Sequence, residues 1–128
     1  MKISLSEDNE LLRKSLSFFL QASGFEVDQF SNGKEALDAI SEKEYDIILT
    51  DINMPGASGL EITNHVRTAL LRDTPIIIFT SINVEQTELD AFEIGANEFI
   101  PKPVSPQVLL VRIKKLLGAS ARTVAAVQ

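Results

Sequence analysis

The chain has 128 residues, 45% of them apolar, and a formal net charge of -6. That is one domain with enough apolar side chains for a real core, and its acidity argues against nucleic acid as a direct partner, because phosphate contacts need a basic face. The absence of cysteine excludes a disulfide framework and thiolate metal sites; no apolar run approaches the roughly 20 residues of a membrane span, and "MKISLS" turns acidic too soon for a secretory signal, so a soluble cytoplasmic protein is expected.

Five short β-type runs alternate with helix-period segments. The first run, "KISLS" (2–6), is followed by "SEDNE" and a helix with Leu12, Leu16, Phe19 and Leu20 on one face. "FEVDQF" (25–30) precedes a helix marked by Ala36, Leu37 and Ile40. "DIILT" (46–50) leads through Asp51, Asn53 and a Pro55-Gly56 turn to a third helix with Ile62, Val66 and Ala69. "PIIIFT" (75–80) precedes a fourth helix, with Leu89 and Phe92 on its core face. "NEFI" (97–100) precedes a fifth, near 105–117, with Leu109, Ile113 and Leu116. Asn32-x-x-Glu35, Ser58-x-x-Glu61 and Asn83-x-x-Gln86 are capping-box patterns, while Gly24, Gly95 and Gly118 stand where C-terminal caps belong. Residues 1–118 therefore read as one domain, and 119–128 as a flexible tail or the stub of a linker.

Alternation of apolar strands with helices predicts an α/β fold, a parallel sheet covered by helices on both faces. Active groups in such folds lie beyond the carboxyl ends of the strands. Glu7 and Asp8 follow the first strand, Asp51 the third, Thr80 ends the fourth, and Lys102 follows the fifth. Three acids, a hydroxyl and an ammonium thus meet on one edge.

Two carboxylates after the first strand would repel a nucleotide or flavin phosphate, and no GxGxxG or GxxxxGK[ST] occurs. Three clustered carboxylates need a cation, and oxygen donors with open water positions favour Mg²⁺. Mg²⁺ on two carboxylates usually meets a phosphoryl group, which Lys102 and the Thr80 hydroxyl could also hold; a remaining carboxylate can act as the nucleophile. The residues themselves read as a Mg²⁺-dependent phosphoryl acceptor.

At "SEDN", "LTDINMPGASGLEI", "PIIIFTS" and "GANEFIPKPVS" the chain resembles the receiver domain of two-component response regulators, the CheY-like family, over roughly residues 2–117. The resemblance implies a flavodoxin-like, doubly wound (βα)5 fold with strand order 2-1-3-4-5. It implies that Asp51 accepts a phosphoryl group from a histidine of a partner kinase or phosphotransfer protein. Asp8, Asp51 and the backbone carbonyl of Asn53 would bind Mg²⁺, with Glu7 acting through water. Thr80 and Lys102 would hold phosphoryl oxygens, and Thr80 with Phe99 would switch the face of the fourth helix, fifth strand and fifth helix toward a downstream partner. Asn53, Ser81 and Ile82 would border access to the phosphoryl group, with apolar Ile82 predicting slow self-dephosphorylation. The Lys102-Pro103 bond is expected to be cis.

Some positions depart from the family pattern. Ser4 and Ser6 replace the usual branched apolar residues of the first strand, and Ser81 replaces the commoner Ala or Gly. Glu88 and Val108 stand where the transcription-factor subfamily commonly has a basic-acidic pair, which argues against that subfamily's phosphorylation-driven dimer. His65 is expected to be a solvated helix residue. An aspartate-nucleophile phosphatase would need D-x-D where this chain has Asp51-Ile52-Asn53. A stand-alone receiver and the regulatory half of a DNA-binding regulator both remain open.

Overall fold

Ile47, Ile48 and Leu49, and Ile76 to Phe79, are fully or almost fully buried on both faces of their strands, as a parallel sheet between two helical layers requires. A computed structural model of the chain describes residues 1–81 and 85–127, apart from the side chains of 85–88 and 119–127. Five strands, β1 (Lys2–Ser6), β2 (Glu26–Phe30), β3 (Ile47–Asp51), β4 (Ile76–Thr80) and β5 (Glu98–Pro101), form one sheet in the order β2-β1-β3-β4-β5, every pair parallel. Helices α1 (Glu10–Ala22), α2 (Gly33–Glu42), α3 (Gly59–Asn64), α4 (Glu85–Ile94) and α5 (Pro106–Val127) connect and cover them. The expected fold class and strand order are those observed.

Alternation along the strands sorts the core into two halves. Ile3, Leu5, Leu49, Ile77 and Phe79 pack with Leu16 and Leu20 of α1 and Leu109 and Ile113 of α5. Ile48, Ile76, Ile78 and Phe99 pack on the other face with Ala36, Ile40, Ile62, Val66 and Ala91. Each branched side chain buried in this way contributes about 1.5–3 kcal/mol.

Ser4 and Ser6 are fully buried in β1, and their hydroxyls have no hydrogen-bond partner. Each unpaired buried hydroxyl costs roughly 1–3 kcal/mol.

Caps act where the sequence placed them: Asn32 Oδ1 accepts from the Glu35 amide at 2.9 Å and Ser58 Oγ from the Glu61 amide at 3.1 Å. Asn9 caps α1 in the same way, accepting from Leu12 N at 2.9 Å. The Asn83-x-x-Gln86 box lies outside the described residues, as does the Glu88 side chain. Gly24 (φ 99°) and Gly95 (φ 116°) follow α1 and α4 as expected. Gly118 does not end α5, whose backbone stays helical to Val127 because the Ala-rich stretch beyond it favours helix.

Three apolar positions differ from expectation. Ala69 is exposed because α3 passes into a π turn over His65–Ala69, closed by the Leu70 amide on the His65 carbonyl at 3.0 Å. The extra residue per turn rotates Ala69 outward and brings Leu70 against the core instead. Leu89 and Phe92 are 49% and 48% exposed, and the small Ala91 is the buried residue of α4 among those whose side chains are described. His65 is half-buried rather than solvated, with Nε2 3.2 Å from Ser41 Oγ.

Leu71 follows the π turn at φ 54°, the left-handed region, with its side chain 81% exposed. It gains little burial in return for the steric cost of its Cβ there. Leu71→Gly should stabilise the domain by about 0.5–1 kcal/mol in urea unfolding, after allowing for the freer unfolded glycine. Equal or lower stability would show that the Leu71 side chain contributes through contacts.

Candidate functional site

The carboxyl ends of β1, β3, β4 and β5 bring the predicted residues together. Asp51 is the last residue of β3, one position later than the sequence pattern drew the strand, and is only 6% exposed. Its own carbonyl accepts from Thr50 Oγ1 at 2.9 Å, and the next amide, Ile52 N, donates to Phe79 O at 2.8 Å. The acid therefore stands on a backbone held from both sides.

Glu7 is fully buried at the end of β1. Its amide donates to Phe30 O at 3.0 Å, its Oε2 accepts from Asn9 N at 3.0 Å, and its carbonyl accepts from Arg13 at 2.9 Å. Asp8 beside it is exposed. One oxygen from each of Glu7, Asp8 and Asp51 lies within 4.8 Å of the others. Oxygen donors this close fit a hard divalent cation, and the exposure of Asp8 leaves room for its water ligands.

Lys102 reaches into this cluster from the turn after β5. Its Nζ lies 2.7 Å from Glu7 Oε1 and 3.0 Å from Asp51 Oδ2, while its amide donates to Thr80 O at 2.7 Å. Burial alone would lower the Lys102 pKa, but hydrogen bonds from its ammonium to Glu7 and Asp51, with their charges, hold it above the ordinary value. Burial raises the Glu7 carboxyl above the usual range, partly offset by the Lys102 hydrogen bond. The Lys102-Pro103 bond is cis.

Thr80 ends β4 and is fully buried. Phe99 pairs with Ile78 and packs with Ala91 and Ala96, 8% exposed. Strand alternation puts Thr80 and Phe99 on the same side of the sheet as Ile76 and Ile78. Asn53 and Ser81 are exposed at the rim. Ile82 lies outside the described residues.

Sequence reasoning missed the supports. Asn9 fastens Glu7 as well as capping α1; the pattern of an amide residue before an apolar helical run could have found it. Gly59 lets α3 begin against the Asp51 carbonyl, which a Cβ there would meet at 2.5 Å. Its amide also closes the loop after β3 onto Ile52 O at 2.9 Å.

The family model for the response regulator receiver domain matches residues 3–114. The chain is similar to the transcriptional regulatory protein ResD of Bacillus subtilis, 34% identical over 122 residues that cover 95% of this chain and 50% of the relative. It is similar at 33% identity, with the same coverage, to SrrA of Staphylococcus aureus. The chain thus spans about half the length of the curated relatives it matches. Among solved structures, a CheY-like receiver domain protein of Methanospirillum hungatei superposes with a TM-score of 0.90 at 25% identity, covering 95% of this chain and 97% of that one. The chemotaxis protein CheY4 of Vibrio cholerae gives 0.82 at 30% identity, with 89% and 96% covered. Sequence match, strand order and the acid-lysine cluster agree, and the chain belongs to the receiver domains of two-component response regulators.

Proposed function

We propose that this domain accepts a phosphoryl group on Asp51 from a phosphohistidine of a partner kinase or histidine phosphotransfer protein. The observation that carries this is one ammonium, Lys102, bridging the terminal carboxylate of a central strand to a buried second acid. In the transfer the histidine nitrogen–phosphorus bond breaks and its electron pair returns to the imidazole, while an Asp51 oxygen–phosphorus bond forms. Later hydrolysis takes one water, releases inorganic phosphate and restores the carboxylate. Lys102 and Thr80 bind the phosphoryl oxygens. A bound Mg²⁺ would neutralise charge on the transferring group, held by Asp8, Asp51 and the Asn53 carbonyl, with Glu7 acting through water.

The output runs through Thr80 and Phe99 to the α4-β5-α5 face. Leu89, Phe92, Val108 and Val111 are 45–66% exposed there, around an Arg112–Glu98 ion pair at 2.9 Å, a surface suited to a protein partner. One of the similar structures is a beryllofluoride-activated receiver domain, DrrB, at 30% identity, which makes the same reagent a natural test. Adding beryllofluoride with Mg²⁺ should shift amide resonances over residues 80–105. Shifts confined to residues 7–8 and 51–53 would rule out a propagated switch.

Self-dephosphorylation should be slow, because Asn53 can orient an attacking water and Ile82, at the partner position, has no polar atom to do so. Ile82→Glu should speed decay of the phosphoprotein; unchanged decay would remove Ile82 as the gate.

The role of ResD and SrrA as transcriptional regulatory proteins of twice this length favours a second reading, in which residues 1–118 regulate a DNA-binding domain and 119–128 begin the linker. A cytoplasmic location suits either reading, and no helix among the described residues is long and apolar enough to cross a membrane.

A further inference from the structure

The loop after β3 carries Asn53 and is tied at two points. At its base, Gly59 N donates to Ile52 O at 2.9 Å. At its tip, Gly33 N, the first amide of α2, donates to Pro55 O at 2.8 Å. Asn53 lies between these ties, so its carbonyl direction depends on both. The tip contact leaves no space for a side chain on the helix: a Cβ on Gly33 would fall 1.9 Å from Ala57 O, 2.6 Å from Ala57 C and 2.8 Å from Ala57 N. All three atoms are backbone, so no rotamer change relieves the overlap; the loop must move. Gly56, at φ 87°, closes the same contact from the loop side, its Cβ direction meeting Lys34 at 3.1 Å. The start of α2 is itself fixed by the Asn32 cap on Glu35 N.

We propose that Gly33 is a positioning residue for the cation site: its bare backbone lets α2 hold loop 52–58 in the one path that presents the Asn53 carbonyl beside Asp8 and Asp51. Gly33 reaches the cation only through the loop. The proposal rests on the reading that the Asn53 carbonyl ligates Mg²⁺. Outer supports of metal ligands are commonly worth about 10–100-fold in affinity, and a shifted loop also misdirects the carbonyl while leaving both carboxylates in place.

The test is Mg²⁺ titration of the full chain, followed by amide shifts of residues 8 and 51–53 and by calorimetry, beside urea unfolding of the metal-free protein. Gly33→Ala should weaken the Mg²⁺ Kd by about tenfold or more and displace the Asn53 amide resonance before metal is added. Ile40→Ala is the control. It creates a core cavity in the same helix, seven residues and roughly 10 Å farther along, and should lower stability while leaving the Kd within about twofold. If Gly33→Ala fails to fold, Asn32→Ala slackens the first turn of α2 without adding an atom to the contact. It should weaken Mg²⁺ binding more than Ile40→Ala does. Wild-type binding with equal affinity in the α2-start variant measured, or loss in Ile40→Ala matching its loss, overturns the positioning role alone. Wild-type amides at 8 and 51–53 that ignore Mg²⁺ overturn the cation reading and the proposal with it.

Discussion

Asp51→Asn will take up no phosphoryl group from acetyl phosphate and Mg²⁺, whereas the wild-type chain will gain one phosphoryl mass. Three acids share the pocket, and their surroundings separate their roles. Glu7 has no solvent exposure, one oxygen held by Lys102 and the other by the Asn9 amide, so an incoming phosphorus has no approach to it. Asp8 lies on an exposed turn, where it is better suited to hold a hydrated cation than to face an in-line donor. Asp51 combines slight exposure with a backbone fixed through Thr50 and Ile52 and an ammonium at 3.0 Å to neutralise developing charge. The amide in Asp51→Asn is nearly isosteric but a poor nucleophile, so the loss should be complete and the fold retained. The check is intact-protein mass spectrometry with circular dichroism of the same sample. Phosphate retained by the variant would move the acceptor to another carboxylate.

The pocket was legible in the sequence because its chemistry sits at strand ends, where alternating elements fix position without side-chain detail. Asp51, Lys102 and Glu7 come together because β1, β3 and β5 all run the same way, which the strand-helix pattern already required. Helix faces were less legible. Leu89 and Phe92 have helical spacing and apolar character, yet the small Ala91 turns to the sheet and leaves both outside. Leu11 and Phe18 of α1 are likewise exposed, at 82% and 76%. Apolar spacing identifies a stripe but not which of two stripes is covered. Ala69 was lost to a π turn, because one inserted residue changes the phase of everything after it. The contact of Gly33 with Ala57 joins segments more than twenty residues apart and involves only backbone, so no residue pattern announces it.

Replacing Lys102 by methionine should cost the metal-free domain about 2–4 kcal/mol at neutral pH, and Mg²⁺ should restore more than half of that. The range lies below that for breaking a fully buried pair because the Lys102 side chain keeps 20% exposure. Among the described residues the ammonium is the only cation within 4.0 Å of the Glu7 and Asp51 carboxylate oxygens, and Glu7 has no exposure with which to regain water. Burial already raises the Glu7 pKa, and the Lys102 hydrogen bond is the main offset; without it the folded pKa climbs further. A carboxyl raised on folding contributes stability that is full below its unfolded pKa, near 4.3, and is lost as pH rises through the folded one. The deficit in Lys102→Met should therefore be largest near pH 8 and shrink toward pH 5. A Mg²⁺ held among these carboxylates would supply in the variant the positive charge that Lys102 supplies in the wild type, so the variant should bind it more tightly than wild type while losing phosphorylation by acetyl phosphate. Urea unfolding at pH 5 and 8, with and without Mg²⁺, measures all of this. A deficit indifferent to both pH and Mg²⁺ would mean that Lys102 stabilises by packing of its stem rather than by neutralising the two carboxylates.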